Sequence, residues 1–188
     1  MTAVIVPYEG QVFFDLDIAG LRRRLPLIQV SPDTWIAYFD SLGDLEFISH
    51  CAKRLAEVLS DCEVLVTSET KGVSLAHEIA KILGHRYYIV CRKGVKSFMR
   101  DPIVVEYRPV TSSERLKLSI DGRQAEKIRN RRVGIVDDIV STRETFRAIE
   151  EIVTLAGGKV VKKAVILAEG EVPHDIYHLG VLPLFKRR

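Results

Sequence analysis

The stretch best equipped for chemistry is Val133-Gly134-Ile135-Val136-Asp137-Asp138-Ile139-Val140-Ser141-Thr142-Arg143-Glu144-Thr145-Phe146. A short apolar run ends in two carboxylates, a loop with three hydroxyls follows, and then a helical pattern begins. The first turn of a helix has backbone N–H groups without partners and carries partial positive charge, so it binds phosphate. Carboxylates beside such a loop suit sugar hydroxyls or a hydrated Mg²⁺. The ligand these residues imply has a phosphate at one end and a diol next to it, as in a ribose 5-phosphate. The plainer reading of Asp137 and Asp138 is a helix cap with a solvated neighbour, and it loses ground because the hydroxyl loop follows at once.

These groups need a scaffold, and the surrounding pattern predicts one. From Asp44 onward helical and strand-like segments alternate. Asp44 is placed to cap a helix reaching about residue 60, with Leu45, Ile48, Ala52, Leu55 and Leu59 on one face. Val64–Val66 reads as a strand, 72–83 as a helix stopped by Gly84, and Tyr87–Val90 as a strand. Val133–Val136 is a strand followed by a helix to about Ala156, and Val160–Leu167 and Val181–Leu182 complete five strands. Such alternation implies right-handed crossovers and a mostly parallel α/β sheet. Ligands of these sheets sit outside the carboxyl ends of the strands, which is where Asp137 and Asp138 fall. Residues 1–40 differ in texture, with short β-like runs punctuated by Pro26, Pro32 and Asp33. Residues 92–130 separate two strands by far more than a usual connection, and Ile103–Tyr107 and Leu116–Ile120 within them predict a hairpin over the site, turning at Thr111–Ser113.

An apolar strand, Asp-Asp, two residues and a small-Thr-x-x-Thr loop is similar to the phosphoribosyl pyrophosphate signature of type I phosphoribosyltransferases. Within that family the chain most resembles the adenine branch and its purine relatives. Ser68-Glu69-Thr70-Lys71-Gly72 is similar to that branch's Glu-x-Arg-Gly loop, and Arg92-Lys93-Gly94-Val95-Lys96 to its Arg-Lys-x-Gly-Lys segment. The resemblance covers roughly residues 25–185. It implies a five-stranded, mostly parallel, Rossmann-like sheet with flanking helices, a β-rich hood over 1–40, a core over 41–188 and a flexible loop over about 94–120. By position, Asp137 and Asp138 would hold the ribose hydroxyls, and Ser141, Thr142, Arg143, Glu144 and Thr145 would surround the 5′-phosphate. Thr70 and Lys71 would hold pyrophosphate, with Arg92 and Lys96 adding positive charge. Mg²⁺ would bridge pyrophosphate and ribose oxygens, with Asp137 as its candidate protein ligand. The implied activity is transfer of phosphoribose to a purine base, adenine first, by a homodimer.

The chain departs from the family pattern in places. Arg143 stands where the family has glycine, and either places a guanidinium on the phosphate or blocks it. Glu144 beside an anion site is unfavourable unless it points away. Glu106-Tyr107 echoes the adenine branch's catalytic Glu-Tyr pair, but Arg108 replaces the expected glycine and the distance to the next strand is too long. Lys71 keeps the charge of arginine and loses its fork. A non-catalytic regulator that binds phosphoribosyl pyrophosphate or a nucleotide is the alternative on the same fold. Trp35, Tyr38 and Phe39 are read as packing, with one of them a candidate to stack on a purine.

Composition narrows the rest. The 188 residues are 47% hydrophobic and 28% charged, which fits one compact domain and excludes a disordered chain. Lys and Arg total 28 against 25 Asp and Glu, for a net charge of +3, too balanced to argue for nucleic acid. Arg22–Arg24 and Arg129–Arg132 accordingly read as surface charge. No apolar run approaches the ~18 residues of a membrane span. Met1–Gly10 lacks the pattern of a secretory signal, and three widely spaced cysteines fit a reducing cytoplasm.

Overall fold

The structure, a computed structural model, describes residues 3–108 and 115–187. The expected turn at Thr111–Ser113 lies outside them. The elements run β1 (Ile5–Pro7), β2 (Phe13–Ile18), β3 (Leu21–Ser31), β4 (Thr34–Ala37), α1 (Leu45–Val58), β5 (Val64–Ser68), α2 (Gly72–Ile82) and β6 (Ile89–Lys93). They continue with β7 (Ile103–Tyr107), β8 (Leu116–Ile120), α3 (Gly122–Ile128), β9 (Arg132–Val140), α4 (Glu144–Leu155), β10 (Lys159–Glu169), β11 (Tyr177–Leu182) and β12 (Leu184–Lys186).

The larger sheet has the order β11-β10-β9-β5-β6-β8-β7. Its first five strands are the five expected from the sequence, and all pair in parallel. Every residue of β5 is buried, as a central strand covered on both faces requires. Lys162 and Lys163, which interrupt the apolar pattern of β10, coincide with a shift of register against β9 between Val160 and Lys162. The hairpin β7–β8 extends this sheet to seven strands. Its base is stitched to β6 through Arg92–Ser119 and Lys93–Leu118, because Val105, Leu118 and Ile120 give it an apolar side to bury. The short helix α3 escapes sequence reading, having too few residues for a period. Its cap is nevertheless well formed, with Asp121 accepting from Arg123 N at 2.9 Å.

The smaller sheet has the order β1-β12-β4-β3-β2, so both ends of the chain contribute to it. Pro26 lies inside β3 instead of ending it. It sits where β3 passes from β2 to β4, and its carbonyl accepts from Tyr38 N at 2.9 Å while its missing N–H leaves nothing unsatisfied. Helix α1 starts at Asp44, whose side chain accepts from Phe47 N at 3.1 Å. It buries Phe47, Ile48, Cys51, Ala52, Leu55 and Ala56, one stripe at helical spacing. That stripe packs with Leu16, Ile18 and Leu25 of the small sheet and Leu75 and Ile79 of α2 in one core. A second core, holding Ile128 of α3 and Ile149 and Ile152 of α4, lies with Val105 and Leu118 of the hairpin. Arg23 differs from its neighbours in the arginine run. It grips Asp44 through two bonds of 2.6 and 2.9 Å and reaches Glu46 at 2.9 Å, tying the small sheet to the start of α1.

Candidate active site

The parallel order places the carboxyl ends of β5, β6, β9 and β10 along one edge, and β9 delivers Asp137 and Asp138 there. The two are 8% and 5% exposed. Asp137 Oδ2 accepts from Ser68 Oγ at 2.7 Å, and its Oδ1 accepts from Asp138 N at 3.0 Å. Asp138 Oδ2 accepts from Ser41 Oγ at 2.9 Å, and its Oδ1 accepts from Ile139 N at 2.9 Å. Burial, and then the Asp138 charge beside it, push the Asp137 carboxyl well above the usual carboxylate range. A ligand hydroxyl or a cation at this point would favour the ionised form that burial and Asp138 disfavour.

A cavity of about 220 Å³ opens beside Asp137. Ser141, Thr142 and Thr145 of the loop entering α4 line it on one side, and Ser68, Glu69 and Lys93 on another. Tyr107 and Leu116, at the far ends of the hairpin strands, form part of its wall. Arg143 is the N-cap of α4 and has φ 63°, the left-handed region that glycine occupies most readily. The chain therefore keeps the bend at the family's glycine position while carrying a long side chain. That side chain is drawn to Asp175, at 3.2 Å from Nη1 to Oδ1, and Arg143 is not among the residues lining the cavity. Glu144 turns to Arg147 at 3.0 Å and so avoids the anion site.

The remaining expected residues separate into two groups. Thr70 and Arg92 line a larger adjoining cavity of about 630 Å³, between the start of α1 and α2. Glu69 borders both cavities. It accepts from Lys93 N at 2.6 Å, pairs with Arg92 Nε at 2.9 Å and lies 4.0 Å from Lys96 Nζ. Lys96 Nζ also donates to Lys93 O at 2.8 Å. Lys71 leaves this cluster. Its Nζ donates to Phe39 O at 3.2 Å, lies 3.4 Å from Asp40, and stands over the Tyr38 ring at 5.4 Å. The Glu69–Thr70 peptide is cis. Gly72 opens α2 against Asp137, and a β-carbon there would overlap both the Asp137 carboxylate and the Thr67 hydroxyl.

Glu106 does not reach the site. It is on the opposite strand face from the cavity-lining Tyr107, as alternate residues must be, and is held by Lys117 at 3.1 Å and Arg115 at 3.5 Å. The Lys117 ammonium holds its carboxyl below the usual range, which makes it a poor proton donor in this position. Of the three aromatic candidates, Trp35 is stacked on Tyr8 at 3.8 Å and covered by Arg187, and Phe39 is buried against Phe47. Tyr38 remains 43% exposed. Ser41, Ser68, Glu69 and Lys93 join the site without having been singled out as binding residues. Glu69 and Lys93 lie inside motifs already noticed, whereas Ser41 is 97 positions from its partner Asp138 and carries no local signal.

Residues 40–181 match the phosphoribosyl transferase domain family, which is most of the chain, and the protein belongs to that family. It is a phosphoribosyltransferase of the type I fold. Its relatives lie on the adenine branch. An adenine phosphoribosyltransferase of Clostridium novyi is 27% identical over 147 residues, covering 76% of this chain and 82% of the relative. One from Petrotoga mobilis is 25% identical over 159 residues, covering 82% and 88%. Among solved structures, the adenine phosphoribosyltransferase of Thermoanaerobacter pseudethanolicus superposes with a TM-score of 0.62 at 17% identity, covering 90% of this chain and 95% of that one. The enzyme of Saccharomyces cerevisiae, solved with adenine and an imino-altritol bisphosphate, has a TM-score of 0.60 at 14% identity, covering 89% and 94%. At those identities the structural likeness speaks for the fold.

Proposed function

We propose that the protein transfers phosphoribose from phosphoribosyl pyrophosphate to a purine base, adenine first, releasing pyrophosphate. One observation carries this reading: Asp137 and the hydroxyls of Ser141, Thr142 and Thr145 converge on a single small cavity at the carboxyl end of β9. The loop's hydroxyls and backbone N–H groups suit the 5′-phosphate, and Asp137 suits the adjacent diol. Asp138, fixed by Ser41, holds the second carboxylate at the same strand end. Arg92, Lys93 and Lys96 gather cationic groups on the pyrophosphate side, with Glu69 paired to Arg92, near the Lys96 ammonium and accepting from the Lys93 main-chain N–H. Thr70 stands beside them, and the Lys71 ammonium becomes available to pyrophosphate by leaving Phe39 O. As pyrophosphate departs, positive charge grows at the sugar, and the buried Asp137 and Asp138 carboxylates favour it. The hairpin's Tyr107 and Leu116 help keep water from that centre.

Magnesium fits this donor set as an ion brought by the ligand. No group of three or more His, Cys, Asp or Glu among the described residues could hold a metal, so pyrophosphate and ribose oxygens would supply most of its coordination, with Asp137 the carboxylate facing them. Bound there, Mg²⁺ would offset charge on the leaving pyrophosphate. The homodimer expected from the resemblance belongs to the same proposal. No helix among the described residues is long and apolar enough to cross a membrane. A cytoplasmic location belongs to the same proposal.

The position of Glu106 favours one second reading. With its acid/base candidate turned away, the protein would bind phosphoribosyl pyrophosphate without turning it over and act as a regulator. Calorimetric titration with phosphoribosyl pyrophosphate and Mg²⁺, followed by adenine, guanine, hypoxanthine and xanthine, separates the two. Binding followed by base-dependent release of pyrophosphate supports the enzyme and identifies its base. Binding with no turnover for any base supports the regulator. Absence of binding overturns both.

A further inference from the structure

We propose that Asp175 is a positioning residue for the phosphate loop: it restrains the Arg143 side chain and thereby keeps the 141–145 backbone in its anion-binding shape. The argument begins with Arg143, which holds φ 63° at the N-cap of α4 although its β-carbon disfavours that region. Something must compensate for a conformation that glycine would take without cost. Asp175, in the connection between β10 and β11, meets Arg143 Nη1 at 3.2 Å through Oδ1. Its other oxygen meets Lys163 Nζ of β10 at 2.5 Å, and the same ammonium reaches Glu150 of α4 at 2.6 Å. The charges alternate Arg, Asp, Lys, Glu. They leave α4 at its cap and return to it about two turns later. The Arg143 and Lys163 side chains are only 19% and 16% exposed, so solvent screens these pairs less than it would on an open surface.

The consequence for binding follows from where the guanidinium is held. With Arg143 engaged by Asp175, the cavity keeps the hydroxyls of Ser141, Thr142 and Thr145 on its wall. The phosphate is then met by backbone N–H groups and hydroxyls, as in a glycine-containing loop, and Arg143 stays at the rim. Losing the Asp175 contact loosens one hold on the Arg143 guanidinium and lets the strained bend relax. Asp175 touches no substrate in this scheme. Its role is required only because residue 143 is not glycine.

That condition supplies the test, which rests on the phosphoribosyltransferase reading only for its ligand. Hydrogen exchange of a peptide spanning 139–145 is compared for Asp175→Asn in two backgrounds, the native chain and Arg143→Gly. Exchange is expected to rise at least five-fold in the native background and to change less than two-fold in the glycine background. The KM for phosphoribosyl pyrophosphate should follow the same pattern, rising at least five-fold in Asp175→Asn with kcat within two-fold, and returning toward the native value in the double variant. No change in exchange, or an equal change in both backgrounds, overturns the proposal, and a general loss of packing would give that equal change. If the native protein binds no phosphoribosyl pyrophosphate, the functional reading fails while the exchange comparison still decides the role of Asp175.

Discussion

Gly72 sits so close to Asp137 that no β-carbon fits between the opening turn of α2 and the Asp137 carboxylate. This approach sets the first turn of α2 against one of the site's two buried acids. Gly72→Ala is expected to push Asp137 off Ser68 and lower phosphoribosyl pyrophosphate affinity at least ten-fold. The overpacking should also reduce stability by about 1–3 kcal/mol. Calorimetry together with urea unfolding reads both effects, and an alanine variant with native affinity would show that the Asp137 position is not what binding needs.

The Asp137 carboxyl gives a pH dependence with a definite sign. Its pKa is raised in the folded chain by burial and by Asp138, so between the ordinary carboxylate range and its own raised value the folded state keeps a proton that the unfolded state has released. Its contribution to stability is therefore full at low pH and is lost as pH rises through the folded pKa. Urea midpoints of the ligand-free protein should fall more steeply over about pH 4 to 7 than those of Asp137→Asn. Ligand affinity should run the other way and grow with pH, since the diol and the metal call for the ionised carboxylate. Parallel pH profiles for the native protein and the Asn variant would sink this assignment.

Glu106 is expected to be dispensable. It is 44% exposed along its side chain and, among the described residues, pairs with Lys117 and Arg115, so Glu106→Gln should leave stability close to native. Base-dependent turnover should stay within three-fold of native. A loss of a hundred-fold or more would mean that the hairpin rearranges to bring Glu106 into the reaction.

Asp44 performs two tasks, capping α1 and receiving Arg23 from the small sheet. Loss of the cap alone costs about 1 kcal/mol, and Asp44→Ala also leaves the partly buried guanidinium without its main partner. The variant should melt earlier than Arg22→Ala, whose exposed pair with Asp17 contributes little. Equal melting shifts in a calorimetric scan would show that Arg23 does not anchor the small sheet.

The five parallel strands and helices α1, α2 and α4 were legible because each carries its own period, and β5 and β9 add apolar runs ending in polar residues. The phosphate loop was legible because its groups are consecutive in the chain. What stayed hidden depends on distant pairing. Ser41 reaches Asp138 from the far side of α1, and Asp175 reaches Arg143 from a separate connection. Nothing local marked Arg23 as different from Arg22 and Arg24, because its role is decided by Asp44 twenty-one positions away. Lys71 illustrates the limit of position alone. Its place in the motif suggested pyrophosphate, yet its ammonium rests on Phe39 O.

The placement of β12 between β1 and β4 also sets a timetable for synthesis. Leu184 pairs with Ile5 on one side and Ile36 on the other, so β1 has no partner in its sheet until residues 184–186 arrive. During translation the β2–β3–β4 meander and the strands through β10 can assemble while the first strand waits. The segment that closes the small sheet is made after every strand of the larger sheet, and a chain stalled before residue 184 would carry a folded phosphate loop under an unfinished roof.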